Sequence, residues 1–446
     1  MRITRYQIAA AVSSALAVSA LSCLPAHAAP PAPAPRDAPA AAITVKDVAL
    51  TVGTNAHQRR VTWLTTASTT TYVQLATVSR GRQRDRGWAG ARTILPNVGG
   101  AAGEQPGWSY NQAVLSALAS NTSYRYRICQ LNGPCGDELR FSTTGSGSFN
   151  FMVYGDPQVY LGSKTGQGGV VENPAAGWAT TLDASTKRFA HTAFLLTAGD
   201  QVDSYTVASQ VGEWDAFLAP KQVTSYPLAP NLGNHDNASG AGYLYAQHFA
   251  LPNLNTAIGG TAAGTGDYWY RYNNVLFLSI NSNNLDFAAH KVFLANAIAA
   301  NRGATWRIVT FHHSPFSSAD HPSDADVVSI RTSLTPIISA LKINLVIGGH
   351  DHDYTRSYLM DGATVASKNA GGVLHPKKGQ VLYLATNSAS GGKFYDLTGP
   401  YPWAAVTNQS LKANYTNIAV TGTDLTATTY EVGGGIVDRV VLTRAR

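Results

Sequence analysis

The sequence predicts an all-β sandwich followed by a larger α/β domain, because the hydrophobic pattern changes once along the chain. From Ile43 to about Thr144, short runs of alternating polar and apolar residues are separated by turn residues. This pattern is typical of a β-sandwich. Beyond Gly145, apolar runs alternate with helix-like stretches, which indicates a sheet covered by helices. The length of 446 residues and the apolar content of 44% suit two such cores.

The individual elements follow from hydrophobic periodicity. In the sandwich, the strand-like runs are ITVKDVALTVG, RRVTWLTT, TTYVQLATV, SYRYRICQL and ELRFSTT. In the α/β domain, the buried-strand runs are FNFMVY, TAFLLTA, NVLFLSIN, WRIVTFH, INLVIGG and QVLYLAT. Helices are predicted over 210–218 and 287–300, and further strands over 415–444 close the domain.

The N-terminus predicts export. Arg2 and Arg5 precede an apolar run that ends in Ala26-His27-Ala28, as in a secretory signal over 1–28 that is cut near Ala28. Residues 29–42 form a Pro/Ala-rich linker. Cys23 offers lipid attachment as an alternative, although Ala20-Leu21-Ser22 before it is a poor context. We therefore expect a secreted or periplasmic protein.

Charge and hydropathy limit the kinds of partner that this protein is expected to have. The net charge of +7 is mild and is spread along the chain, so a nucleic-acid partner is not expected. No later segment combines the length and apolarity of a membrane span, which predicts that the mature chain has none.

Beyond the signal, the sequence contains Cys129 and Cys135, in CQLNGPC. Asn132-Gly133-Pro134 is a turn sequence, so the pair is predicted to form a disulfide in an oxidising compartment. Two free thiols are the alternative.

Several buried-strand runs lead into polar residues of metal-binding types. In open α/β sheets, ligands bind beyond the carboxyl ends of the strands, which allows these ends to converge on one crevice. The ends are Gly155-Asp156-Pro157-Gln158, Gly199-Asp200-Gln201-Val202-Asp203, Gly233-Asn234-His235-Asp236, His312-His313-Ser314-Pro315 and Gly348-Gly349-His350-Asp351-His352-Asp353.

The residue types suit a pair of metal ions. Carboxylates such as Asp156 and Asp200 suit hard cations, while imidazoles from His312, His350 and His352 suit zinc, iron or manganese. An aspartate can bridge two ions, and two ions clamp both oxygens of a displacement at phosphorus. The last two histidines are two positions apart, so they point the same way in an extended segment, whereas a turn directs them to two ions.

Each of these ends taken alone has a simpler interpretation. A Gly-Asp after a strand is often just a turn, and a His-His pair is more often structural than metal-binding. The ordered combination, each element after an apolar strand, is much harder to explain as turns. Asp351 and Asp353 are predicted to be spacers or to orient the neighbouring imidazoles.

The ordered set GD, GDxxD, GNHD, VxxH and GHxH resembles the metallophosphoesterases, the calcineurin-like superfamily. The sandwich ahead of it and the run GHDHDYTRS are similar to the purple acid phosphatases. The resemblance implies a fibronectin III-like domain over 43–145. It also implies a four-layer, sheet-sandwich catalytic domain over 146–446.

The resemblance also implies a centre of two metal ions, with Fe, Zn or Mn as candidates. A metal-bound hydroxide would attack phosphorus, and His235 would stabilise the transition state or protonate the leaving oxygen. His321 occupies a position similar to a substrate-facing histidine of the plant enzymes. The implied ligands are Asp156, Asp200 and His352 for one ion, and Asp200, Asn234, His312 and His350 for the other, with Asp200 bridging.

The chain departs from the family pattern at several positions. Asp203 stands where purple acid phosphatases have their metal-binding tyrosine, and Tyr205 is the nearest tyrosine. Gln158 stands where many relatives carry histidine, so it is a weak ligand or none. The VxxH register favours His312 over His313 as the ligand. Arg356 either meets the phosphate or forms a structural salt bridge.

The sequence thus predicts a secreted hydrolase of phosphoric ester bonds, similar to acid phosphatases, with phosphate monoesters as substrates. A phosphodiesterase is the alternative, because Gln158 and Asp203 shift the site towards the broader superfamily. A binding protein with a retired catalytic domain is the alternative from another class; its expected mark, a missing ligand, is not found at the core positions.

Overall fold

The computed structural model describes residues 44–66, 70–78, 87–103, 105–162, 173–258 and 264–444. The predicted signal (1–28) and linker (29–42) lie outside these residues. Within the described ranges, no helix has both the length and the apolar character needed to cross a membrane.

The N-terminal strands are β1 (Val45–Val52), β2 (Arg59–Thr66), β3 (Thr71–Thr77), β4 (Arg92–Ile94), β5 (Val98–Ala101), β6 (Trp108–Leu115), β7 (Ser123–Gln130) and β8 (Leu139–Ser142). They form a sandwich in which the sheet β4-β3-β7-β8 packs on β1, β2, β6 and β5. Trp63, Val73, Tyr126 and Phe141 are buried between the two sheets. The predicted sandwich is confirmed, with β4, β5 and β6 added to the runs that periodicity identified.

The remaining strands are β9 (Phe149–Tyr154), β10 (Leu195–Thr197), β11 (Leu228–Pro230), β12 (Tyr268–Tyr272), β13 (Val275–Ser279), β14 (Trp306–His313), β15 (Leu345–Gly349), β16 (Tyr354–Ser357), β17 (Leu359–Asp361), β18 (Thr364–Ser367), β19 (Val373–Leu374), β20 (Leu382–Ala385), β21 (Ala404–Asn408), β22 (Asn414–Val420), β23 (Asp424–Glu431) and β24 (Ile436–Thr443). The helices are α1 (Pro174–Arg188), α2 (Val207–Leu218), α3 (Gln222–Ser225), α4 (Gly242–His248), α5 (Phe287–Ala300), α6 (Ala325–Ser329) and α7 (Thr335–Ala340). A π-helical turn over Ile330–Leu334 joins α6 to α7.

Two large sheets face each other in the α/β part. One has the order β19-β24-β23-β22-β9-β10-β11 and continues through β1 into the sandwich, where Thr51 pairs with Leu228. The other has the order β12-β13-β14-β15-β20-β16-β21. Residues of both sheets, such as Phe151 and Ile347, share one core, which also takes Trp178 of α1. The α/β sheet sandwich is therefore confirmed.

The outer face of the second sheet carries its own core. Alternate residues of the same strands, such as Leu278 and Val309, pack there against Leu294 of α5 and Ile338 of α7. In the central strands both faces are buried, which explains why these runs read as continuously apolar.

The strand directions bring the polar ends together. β9, β10 and β11 are parallel in the first sheet, and β13, β14, β15 and β20 are parallel in the second. A parallel β-bridge between Gly155 and Ser388 links the two sheets at this edge. The carboxyl ends of both parallel sets open on a common crevice.

Candidate metal centre

The crevice collects the polar side chains that follow the parallel strands. Asp156 follows β9, Asp200 follows β10 and Asn234 follows β11. His312 is the penultimate residue of β14, and His350 follows β15 directly. Five strand ends that are far apart in sequence therefore contribute to one site, as strand geometry predicts.

Asp156 and Asp200 are buried at the bottom of the crevice. The backbone N–H of His350 donates to both carboxylate oxygens of Asp156, at 3.0 Å each. The backbone N–H of His235 donates to Oδ1 of Asp200 at 3.0 Å. Each carboxylate is thus held by the turn that follows another strand, so that the loops fix one another.

The backbone at these positions is strained. Asp156, Asp200, His350 and His352 have φ values of 34°, 45°, 75° and 46°, in the left-handed region that side chains other than glycine rarely adopt. Gln158 joins them with a φ of 34°. Such conformations persist where the surrounding structure enforces them, and they cluster at functional sites.

His312 is oriented for coordination. Its Nδ1 donates to the carbonyl oxygen of Ala198 at 2.9 Å, so Nε2 faces the crevice and can bind a metal once it has lost its proton. Nε2 lies 2.8 Å from Oδ1 of Asn234 and 3.2 Å from Oδ2 of Asp200. The adjacent His313 has its Nδ1 2.8 Å from Oγ of Ser282, and its ring lies 4.4 Å from the ring of His350.

His350 and His352 point to different sides of the site. Nδ1 of His350 lies 3.2 Å from Nε2 of His312. Nε2 of His352 lies 3.7 Å from Oδ1 of Asp156. Of the two alternatives left open for GHDH, the structure has the turn, because both histidines carry positive φ values.

The donor set fits a divalent metal centre. Asp156, Asp200 and His312 offer ligand atoms that lie within 4.8 Å of one another. Oε1 of Gln158 is buried without a hydrogen-bond partner, while its Nε2 lies 3.3 Å from Oδ2 of Asp200. A buried oxygen without a donor is costly unless a cation completes it, and mixed oxygen and imidazole donors suit zinc, iron or manganese.

Sequence and structure comparisons relate this chain to known phosphoesterases. Residues 149–354 match the family model of the calcineurin-like phosphoesterases. The chain contains a calcineurin-like phosphoesterase domain. Its fold is that of a purple acid phosphatase from yellow lupin (Lupinus luteus) seeds, with a TM-score of 0.72 at 15% identity over 90% of this chain and 74% of that one.

Two curated relatives are uncharacterized proteins of Mycobacterium tuberculosis, from the strains CDC 1551 / Oshkosh and ATCC 25618 / H37Rv. Each is 24% identical over 279 residues, which cover 57% of this chain. The chain spans about half the length of these relatives, since the match covers 51% of each.

At the rim of the crevice, His235 is held on both ring nitrogens. Nδ1 donates to the carbonyl oxygen of Asp203, and Nε2 lies 2.9 Å from the hydroxyl of Tyr205. The Tyr205 ring lies 4.2 Å from the His235 ring at an interplanar angle of 38° and is 55% exposed, and its hydroxyl lies 3.5 Å from Nδ2 of Asn234. Tyr205 therefore contacts the site through His235 and Asn234.

His321 reaches the site on an anchored loop. Its ring lies 4.2 Å from the ring of His350. The backbone N–H groups of Ala319, Asp320 and His321 donate to the Asp351 carboxylate at 2.8, 2.7 and 2.8 Å. Asp351 thus positions the His321 loop, whereas its expected role was that of a spacer or an anchor for the imidazoles. The Asp353 carboxylate accepts a hydrogen bond from the Thr355 hydroxyl and is not one of the candidate metal ligands.

Arg356 lies away from the ligands. Its guanidinium donates to Oδ2 of Asp438 at 2.6 Å, and the side chain is 2% exposed. Asp438 also accepts from the hydroxyl of Tyr354 at 2.8 Å. Of the two roles left open for Arg356, the structure has the salt bridge.

We expect Arg356→Ala to lower the free energy of unfolding by about 3–5 kcal/mol, because it leaves the Asp438 carboxylate without its partner. Metal content should not change. Denaturant unfolding measures the loss, and Arg439→Ala, at an exposed position, is the control. An unchanged stability together with weaker phosphate binding would contradict the structural role.

One segment of the site was missed from the sequence. The loop after β20, residues 386–395, lies against the ligands: the Ala389 N–H donates to the Gly155 carbonyl at 2.7 Å, and Nδ1 of His352 donates to the Lys393 carbonyl at 2.9 Å. QVLYLAT was identified as a strand. Applying the strand-end rule to it as well would have pointed to this loop.

Burial and neighbouring charges determine the protonation of the candidate ligands. Burial raises the pKa of Asp156 to about 8. Burial also opposes a charge on His312, but the neighbouring Asp200 carboxylate prevails and raises its pKa to about 9. Although burial acts in the opposite direction, the charges of His312 and His235 hold the pKa of Asp200 below its ordinary value.

Metal binding should therefore release protons at pH 7. Asp156 and His312 have pKa values of about 8 and 9, so both carry a proton that a ligand must lose. Affinity for Zn²⁺ should accordingly rise with pH up to about 9. Calorimetric titration in buffers of different ionisation enthalpy counts the protons. A count near zero at pH 7 would contradict these pKa values.

Proposed function

We propose that this protein is a secreted, metal-dependent phosphoesterase that hydrolyses phosphate monoesters. The observation that carries the proposal is the convergence of Asp156, Asp200 and His312, with ligand atoms within 4.8 Å, in a calcineurin-like phosphoesterase domain. Asn234, His350 and His352 lie around this group and complete the donor set that we assign to two ions.

The candidate ligands fall into two sets, one for each ion. Asp156, Asp200 and His352, with Gln158 beside them, would hold one ion. Asp200, Asn234, His312 and His350 would hold the other. When bound, such a pair supplies Lewis-acid stabilisation of the phosphoryl oxygens and a nucleophile at neutral pH. Iron, zinc and manganese all suit this mixture of oxygen and nitrogen donors.

His235 is placed to protonate the leaving oxygen. Nδ1 donates to the Asp203 carbonyl, so Nε2, 2.9 Å from the Tyr205 hydroxyl, is the ring nitrogen that can exchange a proton with a substrate. In the imidazolium form, Nε2 can pass its proton to the ester oxygen as the P–O bond breaks.

His235→Ala should lower kcat by about 10²–10⁴-fold for an alkyl phosphate, because a poor leaving group needs the proton. The loss should be much smaller for p-nitrophenyl phosphate. Steady-state kinetics with both esters measure the difference, and His191→Ala, at an exposed position, is the control. Equal losses on both esters would assign His235 to binding rather than to proton transfer.

A phosphodiesterase is the second candidate, favoured by Asp203 and Gln158 at the positions that depart from the purple acid phosphatase pattern. Purified protein, assayed with p-nitrophenyl phosphate and bis(p-nitrophenyl) phosphate over Fe, Zn and Mn, separates the two. We expect a higher kcat/KM for the monoester. Turnover of the diester alone would overturn the monoester proposal.

Export is proposed on the signal-like residues 1–28, and the disulfide between Cys129 and Cys135 supports an oxidising compartment. The N-terminal sequence of protein recovered from the periplasm or medium tests this. Cleavage near Ala28 is expected, and retention of the full N-terminus inside the cell would contradict export.

A further inference from the structure

We propose that Lys393 and Tyr395 form a phosphoryl-recognition wall, which favours the dianion of a phosphate monoester over the monoanion of a diester. This inference rests on the proposed function and names the substrate feature that the site selects. The loop after β20 carries both residues.

The loop is fixed to the candidate ligand His352 by hydrogen bonds. The Lys393 carbonyl accepts from Nδ1 of His352 at 2.9 Å, which fixes the orientation of that ring. Nε2 of Gln409 donates to the carbonyl oxygens of His352 and Tyr395, at 2.7 Å each. The backbone of 393–395 therefore holds a fixed position relative to His352.

The two side chains cover the space between the histidines. The Tyr395 ring lies 5.1 Å from the ring of His321 and 5.2 Å from the ring of His352. Nζ of Lys393 lies 4.8 Å from the centre of the Tyr395 ring. The Lys393 ammonium thus lies over a phenol ring that is itself next to two histidines of the site.

The charge of Lys393 is available to a ligand. Arg356 is committed to Asp438, whereas no carboxylate of the described ranges pairs with Lys393 within 4.0 Å. Nζ of Lys393 lies 4.8 Å from the centre of the Tyr395 ring, which itself lies 5.2 Å from the ring of His352. The charge of Lys393 therefore lies on the His352 side of the candidate site.

Tyr395 supplies a donor. A tyrosine hydroxyl is a hydrogen-bond donor at neutral pH, and the ring that carries it lies 5.1 Å from the ring of His321 and 5.2 Å from the ring of His352. A protonated phenol can donate to a phosphoryl oxygen but does not repel it.

This pair discriminates between ester classes by charge. A phosphate monoester has a second pKa near about 6 and is largely a dianion at neutral pH, whereas a diester carries a single charge. Hydrogen bonds from a charged donor strengthen with the charge of the acceptor. A cation and a phenol at one wall therefore add more to the binding of the monoester.

The test compares Lys393→Met, which keeps the stem and removes the charge, with the wild-type holoenzyme. We expect inorganic phosphate to bind about 10-fold to 100-fold more weakly by calorimetry. The kcat/KM for p-nitrophenyl phosphate should fall by a similar factor, while that for bis(p-nitrophenyl) phosphate should change by less than about 3-fold. Metal content should stay the same. Lys393→Arg should restore part of the phosphate affinity, and Lys187→Met is the surface control.

Unchanged phosphate affinity in Lys393→Met would overturn the wall, and so would equal losses on both esters. The two proposals fail separately. If the wild-type protein hydrolyses neither ester, the proposed function is wrong, and phosphate binding to wild type and Lys393→Met still decides the role of Lys393. Weaker binding of phosphate by Tyr395→Phe would further support the wall, and unchanged binding would remove Tyr395 from it.

Discussion

Asp200→Asn should remove both metal content and turnover. Oδ1 of Asp200 accepts from the His235 N–H at 3.0 Å, and Oδ2 lies 3.2 Å from Nε2 of His312 and 3.3 Å from Nε2 of Gln158. An amide supplies one neutral oxygen and, in place of the other, an NH₂ group that repels a cation. It cannot bridge two ions as a carboxylate does.

The expected loss in kcat/KM is more than about 10³-fold, equivalent to about 4 kcal/mol of transition-state stabilisation. Elemental analysis and steady-state kinetics on the same preparation measure both effects. Asp361→Asn, at an exposed position on β17, is the matched control and should behave as wild type. A variant that keeps its metal and its turnover would move the centre away from Asp200, and a wild-type protein without metal would favour the binding-protein alternative.

The strand ends were predictable because they depend on local pattern. An apolar run followed by glycine and an acidic or imidazole residue marks the carboxyl end of a buried strand, and parallel strands meet at one edge. That rule alone places Asp156, Asp200 and His350 together. The helices predicted over 287–300 and 210–218 correspond to α5 (Phe287–Ala300) and to most of α2 (Val207–Leu218).

The rest depends on contacts that sequence spacing does not encode. Lys393 meets His352 through a backbone carbonyl, a contact that any residue type can make. Asp351 holds the backbone of 319–321 across a separation of about thirty residues, although in the sequence it reads as a spacer between two histidines. Tyr205 approaches His235 because the turn after β10 brings them together. Helix α1 also escaped prediction, since buried Thr and Ser, such as Thr181, interrupt its apolar face.

The glycines that precede the candidate ligands leave the space that the two carboxylates occupy. A Cβ atom on Gly349 would clash with Oδ2 of Asp156, and one on Gly233 would clash with Oδ1 of Asp200. The carboxylates occupy the space that a side chain would fill. The sequence places a glycine ahead of each of these turns, and the structure gives the reason.

Gly349→Ala should therefore weaken metal binding although no ligand is changed. The new methyl group would displace the Asp156 carboxylate, which the His350 N–H holds at 3.0 Å, and would disturb the turn that carries His350 and His352. We expect metal affinity to fall by about 10-fold to 100-fold or more, as for other groups that orient ligands. Overpacking should also cost about 1–3 kcal/mol of stability.

Calorimetric titration with Zn²⁺, together with denaturant unfolding, separates the two effects of Gly349→Ala. Gly435→Ala is the matched control, because a Cβ atom there meets nothing within 4 Å. A Gly349→Ala protein that is less stable but binds Zn²⁺ like wild type would show that the Asp156 carboxylate can move without loss, and that the centre tolerates a shift of its first aspartate. Weaker Zn²⁺ binding in a folded variant would instead show that the close approach of β15 to Asp156 sets the geometry of the site, because the ligands themselves are unchanged.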